Sequence, residues 1–317
     1  GGAGEKSPQD SMTRRWVAAG ATMIAAASVV NAAGRPAALC DDGVGGAGKG
    51  FNGVIVGAAA AAAASAAAWL AMRPSAPVPT VDIEGWKKKW EIGQTNFHLP
   101  GVHPALIAHG ARLLDDGISA PHFPKRILFP LCGKAVDMPY LAMAGHRVVG
   151  VDCVRLAVDT LVQETKGAVI TRQNTIGQLQ VIDIAVAAQK GAHMKFVLGD
   201  FFKLSSSVAG SFEAVFDRGS LVAIDPSLRK RYCAVLHSLL VPGSRILLVT
   251  VEHDPFGNGK LGPPFAVSEN DVTRLFHQSK YDVELLARED RMPVEEIWKK
   301  RGCTYFNEAV YLITKKS

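Results

Sequence analysis

The sequence predicts an α/β fold: a doubly wound sheet, mostly parallel with an antiparallel closing strand, preceded by one or two Ala-rich helices. Three observations carry this expectation. Strand-like and helix-like patterns alternate from Lys125 onward, the first strand runs directly into a glycine turn that opens a helix, and the second strand ends on an acid, Asp152. Such alternation places helices over both faces of a parallel sheet.

The elements follow from hydrophobic periodicity. Strands are expected at Arg126–Leu131, Arg147–Asp152, Lys195–Leu198, Phe212–Phe216, Arg245–Val251 and Val283–Ala287, with a closing strand at Glu308–Thr314. Helices are expected at Ala135–Ala144, Leu156–Lys166, Pro226–Leu240 and Ser268–His277. The approach Tyr305–Thr314 follows closely on the strand at Val283–Ala287, which predicts an antiparallel closing hairpin at one edge of the sheet. There is no internal repeat.

Composition changes sharply near residue 80, dividing the chain into an N-terminal extension, 1–80, and a catalytic-type domain, 81–317. The extension carries two apolar small-residue stretches, Trp16–Ala33 and Gly53–Met72. The second has 20 residues without a charge, 11 of them alanine. That length spans a hydrocarbon core of ~30 Å, which makes 53–72 a candidate membrane span; a low-complexity tether or buried helix is the alternative. The first stretch follows Arg14 and Arg15 and reads as a targeting signal or a second span. The run Arg73-Pro-Ser-Ala-Pro-Val-Pro-Thr80 is a semi-rigid linker.

The 317 residues are 48% hydrophobic, ample for a core. The net charge of +6 divides into +2 for residues 1–80 and +4 for the rest, so neither part has the concentrated positive field that nucleic acid demands. The run Lys87-Lys88-Lys89 lies between Trp86 and Trp90 and reads as a solvated helix face. Five cysteines, Cys40, Cys132, Cys153, Cys233 and Cys303, show neither paired nor metal-ligand spacing, which argues against a disulfide framework or a zinc site and for a reducing compartment.

The chemistry begins where the first strand ends, in Phe129-Pro-Leu-Cys-Gly-Lys134, with Asp152 nineteen residues after Gly133. This is nucleotide-site geometry. A glycine turn lets a ligand approach the backbone, and a carboxylate at the tip of the second strand accepts ribose hydroxyl protons. One glycine replaces the three of a dinucleotide fingerprint, which suits S-adenosylmethionine, a ligand without a pyrophosphate. The bland alternative is a structural turn beside a solvated Asp.

Six colinear motifs add to this: Glu84-Gly-Trp-Lys-Lys-Lys-Trp90, Gln94-Thr-Asn-Phe-His98, Phe129–Met138, Gly145–Asp152, Asp217–Pro226 and Gly262-Pro-Pro-Phe265. Together, over 82–315, they resemble the thiopurine S-methyltransferase family. The resemblance implies a Rossmann-like methyltransferase sheet, an enzyme, and S-adenosylmethionine as methyl donor with S-adenosylhomocysteine as product. It implies donor contacts from Trp86, Trp90, Phe97, Leu131, Gly133, Asp152, Asp200, Phe201 and Arg218, with Phe97 and Arg218 also facing the acceptor. A sulfonium is attracted to aromatic faces, which suits Trp86, Trp90 and Phe97; Trp86 and Trp90, at i and i+4, also read simply as an apolar helix face.

Arg218 is the candidate catalytic residue, favouring a thiolate acceptor by its charge. The structural alternative makes it an ion-pair partner of Asp217 or Asp225. Cys132 reads as packing, because in-line displacement at a sulfonium needs no covalent enzyme intermediate. His98 is a candidate base, although an aromatic thiol already ionises near neutrality and proximity alone then supplies much of the rate. Ile297 stands where the family has a substrate-side arginine, with Lys299, Lys300 and Arg301 as possible substitutes.

The expected acceptor is a small thiol or another soft nucleophile, such as a selenium or tellurium compound. Two other readings stand beside this one: a catalytically reduced methyltransferase fold held in a membrane assembly through residues 1–80, and the related halide/thiol methyltransferases. The extension points to membrane association, with the domain in a reducing aqueous compartment at an organelle membrane such as the mitochondrial one; a cytoplasmic location is the alternative.

Overall fold

The computed structural model describes residues 81–114, 123–187 and 192–317. The Ala-rich stretches, the candidate span 53–72 and the Pro-rich linker lie outside the described residues. Among the described residues no helix is long and apolar enough to cross a membrane.

Among the described residues two helices come first, α1 (Ile83–Glu91) and α2 (Pro104–Leu114). Asp82 caps α1, its Oδ1 accepting the Gly85 N–H at 2.8 Å. Then β1 (Arg126–Phe129), α3 (Asp137–Met143), β2 (Arg147–Asp152) and α4 (Arg155–Glu164) alternate as expected. Helix α3 stops at Gly145 (φ +94°), where the His146 N–H reaches back to the Leu141 carbonyl at 3.1 Å; this left-handed closure is what a glycine just past the helix permits.

Next come β3 (Ala168–Ile176), β4 (Leu179–Val186), β5 (His193–Leu198), α5 (Ser206–Ala209), β6 (Phe212–Arg218) and α6 (Arg229–Leu239). The chain continues through β7 (Leu240–His253), α7 (Glu269–Leu275), β8 (Tyr281–Asp290), α8 (Glu296–Lys300) and β9 (Phe306–Lys315). A reciprocal Ser268/Asp271 capping box starts α7.

Among the described residues nine strands form one sheet in the order β3-β4-β5-β2-β1-β6-β7-β9-β8. The middle, β5-β2-β1-β6-β7, is parallel, with Ile127 beside Val148 on one side and Ala214 on the other. Strand β9 runs antiparallel to both β7 and β8.

Successive residues of the central strands point to opposite faces, and each face has its own core. Leu128, Val149, Val215 and Leu248 pack with Tyr232, Leu236 and Leu239 of α6. Ile127, Val148, Phe196 and Leu247 pack with Leu106 and Leu113 of α2, Met138 and Leu141 of α3, and Val158 and Leu161 of α4.

The closing hairpin stands at one edge of the sheet as expected, with β9 entering between β7 and β8, Leu247 to Val249 paired with Val310 to Leu312, and β8 outermost. Three features depart from the expectation. The short helix α8 interrupts the β8–β9 connection. The hairpin β3–β4, turned at Gly177 (φ +60°), extends the opposite edge, and α2 adds a helix before the first strand.

Candidate active site

The strand order brings four loop regions into a row at the carboxyl ends of parallel strands, where ligands bind in open α/β sheets. Gly199 and Asp200 follow β5, Asp152 ends β2, Leu131–Lys134 follows β1, and Arg218 ends β6.

The turn after β1 is built for close approach. Leu131 and Gly133 have φ of +42° and +52°, and the Gly133 N–H donates to Asp152 Oδ2 at 2.8 Å. Asp152 Oδ1 accepts the Val154 N–H at 3.0 Å. Burial pushes the Asp152 carboxyl up while these backbone donors oppose it. A carboxylate has about four lone-pair sites, so two amide bonds leave capacity for ligand hydroxyls. Cys132 is buried behind the turn, its N–H bound to the Val151 carbonyl at 2.9 Å and its thiol pushed up by burial, which is a packing role.

Asp200 starts a short 3-10 turn, its Oδ1 accepting the Phe202 N–H at 2.9 Å. The Phe201 ring is turned into the core, 4.9 Å from the Tyr232 ring, so at this strand end Gly199 and Asp200 form the lip of the crevice.

Helix α1 and the segment after it lie over the turn. Phe97 meets Trp86 edge-on at 5.7 Å and Trp90 at 6.2 Å, and His98 packs on Phe97 and Trp90 at 4.5 and 5.0 Å. Trp90 is buried in the core, whereas Trp86 is half-buried with Lys89 Nζ 4.0 Å above its ring. The two readings of this pair thus divide between the residues: Trp90 is core, and Trp86 stays half-buried against Phe97, which lines the cleft.

His98 Nε2 accepts the Lys134 N–H at 3.1 Å, which leaves Nδ1 as the donor to the Thr95 carbonyl at 3.2 Å. Burial, with the charges of Lys134 and Arg218, takes its pKa down to about 4. The ring is neutral and its single basic lone pair is engaged, so in this arrangement His98 is a spacer, not a base.

Arg218 donates from Nη1 to the Phe97 carbonyl, tying the end of β6 to the covering segment. It is not paired with Asp217 or Asp225. Asp217 is fully buried and accepts from Tyr232 Oη (2.7 Å) and the Leu221 N–H (3.1 Å), with its pKa pushed up to about 6 by burial. Asp225 accepts from Ser227. Burial lowers the Arg218 pKa, and the more distant carboxylates of Glu308, Asp137 and Glu295 oppose that.

The segment Gly262–Phe265 is tied to the loop after β6, the Phe265 N–H donating to the Val222 carbonyl at 2.7 Å. Ile297 is 52% exposed. Of the three nearby cations, Arg301 alone packs onto the fold: its guanidinium lies 3.6 Å above the Phe256 ring and donates to the Pro263 carbonyl at 3.2 Å. Lys299 and Lys300 are exposed.

Phe97, Leu131 and Arg218 line one pocket, and sequence reasoning missed two further residues there, Asp137 and His103. Asp137 stands four residues after Gly133 at the start of α3; an acid on a helix that covers a sheet was the available signal. Among the described residues no cluster of His, Cys, Asp and Glu forms a metal site.

A glycine turn after β1, an acid at the tip of β2 and a sheet of this order define, as a class, a nucleoside-binding methyltransferase. The thiopurine S-methyltransferase family profile matches residues 81–316. A probable thiopurine S-methyltransferase of Danio rerio is 37% identical over 245 residues, covering 75% of this chain and 96% of the relative. A thiopurine S-methyltransferase of Pseudomonas fluorescens (strain SBW25) is 34% identical, covering 73% and 98%. Among solved structures, a 1,6-didemethyltoxoflavin-N1-methyltransferase of Burkholderia thailandensis is 19% identical with a TM-score of 0.48, covering 77% and 94%. The chain belongs to the thiopurine S-methyltransferase family and is an S-adenosylmethionine-dependent methyltransferase. Its residues fit that donor: the turn exposes backbone at Leu131 and Gly133, Asp152 keeps acceptor capacity beside it, and the Phe97 ring, with Trp86 packed against it, lines the cleft.

Proposed function

We propose that this enzyme methylates the sulfur of a small aromatic or heterocyclic thiol. The observation that carries the reading is Arg218: a half-buried guanidinium, without an ion-paired carboxylate among the described residues, facing the same pocket as Phe97 and Leu131. A partly desolvated cation of this kind favours an anionic partner and lowers the pKa of an acceptor beside it.

When bound, S-adenosylmethionine supplies an electrophilic methyl group on a sulfonium. The remaining work belongs to the protein. Asp152 and the Leu131–Gly133 backbone fix the nucleoside end. Phe97 and Trp86 offer ring faces and edges to a cation and keep water out. Arg218 holds the acceptor as its thiolate, so that its sulfur attacks in line and no proton remains to be moved at that step. His98, neutral and engaged with Lys134, shapes the turn. Rate then comes from alignment and desolvation.

The test is steady-state methylation of a thiophenol series by the full chain. Arg218→Ala should lower kcat/KM by about 10²-fold, the size of losing a charge-assisted contact, and Arg218→Lys should recover part of it. The loss should be steepest for thiols of high pKa. Unchanged turnover in Arg218→Ala removes the thiolate role. Methylation of oxygen or nitrogen acceptors in preference to every thiol removes the acceptor class.

A further inference from the structure

The strand order dictates how an extended ligand lies across the sheet. Asp200, Asp152, the Leu131–Lys134 turn and Arg218 stand at the ends of β5, β2, β1 and β6, four neighbours in that order. With adenine beside Asp200 and ribose at Asp152, the amino-acid end of the methyl donor continues past β1 into the pocket between β1 and β6. That pocket is lined by Phe97, His103, Leu131, Asp137 and Arg218 among others.

Asp137 is anomalous there. It is only 6% exposed, and no lysine or arginine among the described residues forms an ion pair with it. Its Oδ1 accepts the His103 N–H at 2.8 Å. The His103 imidazole is turned to other partners: Nδ1 accepts the Ala105 N–H at 3.2 Å, and Nε2 stands 3.7 Å from Glu308 Oε2. Arg218 acts on Asp137 only from a distance, without an ion pair between them, and its Nη1 donates to the Phe97 carbonyl. A carboxylate buried without a cation is costly, and burial accordingly pushes the Asp137 carboxyl up. A cavity-facing acid in that condition suits a ligand that brings its own positive charge.

We propose that Asp137 is the counter-ion for the α-ammonium group of S-adenosylmethionine, a donor-binding residue that reads the amino-acid end of the ligand. The assignment rests on the donor-binding reading of the cleft. It explains why an acid stands at the first turn of a helix whose other inward residues, Met138, Leu141 and Ala142, are apolar. It also separates labour within the pocket: Asp137 holds the cationic group of the donor and leaves Arg218 for the acceptor.

The experiment is calorimetric titration of the full chain with three ligands: S-adenosylhomocysteine, its desamino analogue, and 5′-methylthioadenosine, which lacks the amino-acid end. Asp137→Asn keeps an acceptor for the His103 N–H and removes the charge. It should weaken S-adenosylhomocysteine by about 10- to 100-fold, the range for a hydrogen bond to a charged group, and leave 5′-methylthioadenosine and the desamino analogue unchanged. Equal weakening of all three ligands, or none for S-adenosylhomocysteine, overturns the assignment. Should Asp137→Asn fail to fold, the wild-type comparison decides: the desamino analogue must bind more weakly than S-adenosylhomocysteine by a similar factor, and equal affinities overturn the proposal. A wild-type chain that binds none of the three overturns the donor reading itself, a different failure from one confined to Asp137.

Discussion

The imidazole of His98 stands where a side chain on Gly133 would have to be: a β-carbon on Gly133 would lie 2.1 Å from His98 Nε2. The turn and the covering segment are therefore fitted to each other, and the first consequence is testable. Gly133→Ala meets both this clash and a φ of +52°. It should cost about 1–3 kcal/mol of stability and weaken S-adenosylhomocysteine. In a double variant with His98→Ala the two costs should fall short of additive, because the clash is then gone while the backbone strain stays. Denaturant titration of the four proteins of the cycle checks this; strict additivity would mean that the two residues do not collide.

His98 and Asp217 make stability respond to acid in opposite directions. The His98 pKa is depressed to about 4, so between about pH 6.5 and 4 the unfolded chain takes up a proton that the folded chain refuses, and stability falls as pH falls. His98→Phe should remove that slope, worth up to about 3 kcal/mol at full expression. Thermal melts across the window provide the measurement.

Asp217 works the other way. Its pKa is raised to about 6 by burial, so between about pH 4 and 6 the unfolded chain ionises first and stability falls as pH rises. Asp217→Asn retains acceptor and donor capacity for Leu221 and Tyr232 and should remove this slope, leaving that of His98 exposed. A melting temperature of Asp217→Asn that still declined with rising pH in this window would contradict the assignment.

Arg301 should contribute to acceptor binding more than to donor binding. Arg301→Gln is expected to raise the acceptor KM several-fold, on the order of a lost charge-assisted contact, with S-adenosylhomocysteine affinity unchanged. Ile297→Ala, at an exposed position, should change neither. The pair of variants distinguishes the packed cation from the exposed residue.

Gly150 in the middle of β2 leaves no room for a methyl group: a β-carbon there would meet Met138 Cε at 2.5 Å and Cys132 Sγ at 2.7 Å. Gly150→Ala should destabilise by about 1–3 kcal/mol through overpacking, and Met138→Ala in the same chain should relieve part of it. Equilibrium unfolding of the single and double variants measures both.

The parallel centre of the sheet was legible because its strands are continuous apolar runs punctuated by Gly133, Gly145 and Gly150, and because Asp152 ends one of them. Strand β3 was not. Thr171, Arg172, Gln173 and Asn174 lie at an outer edge with largely exposed side chains, so pairing with β4, and no periodicity of its own, makes it a strand. The closing hairpin was legible as a pair, although a strand pattern does not say which of its two strands enters the sheet. In the site, Asp152, Gly133 and Arg218 were visible as residue types at strand ends. Asp137 was visible only as one acid in a motif, since its burial depends on which way the first turn of α3 faces. The Phe201 ring shows the converse, a residue in the expected place whose side chain is spent on the core.

The insertion of β9 between β7 and β8 has a consequence for assembly. In chain order β8 precedes β9, yet in the sheet it lies outside it, so β8 has no docking edge until its successor arrives. A chain emerging from one end can add β1, β2 and β6 one at a time to an existing edge, but this last pair must arrive as a preformed hairpin or wait undocked. Removal of β9 would therefore strip β8 from the sheet and uncover the long edge of β7, turning a loss of ten residues into two unsatisfied strand edges and an adhesive species.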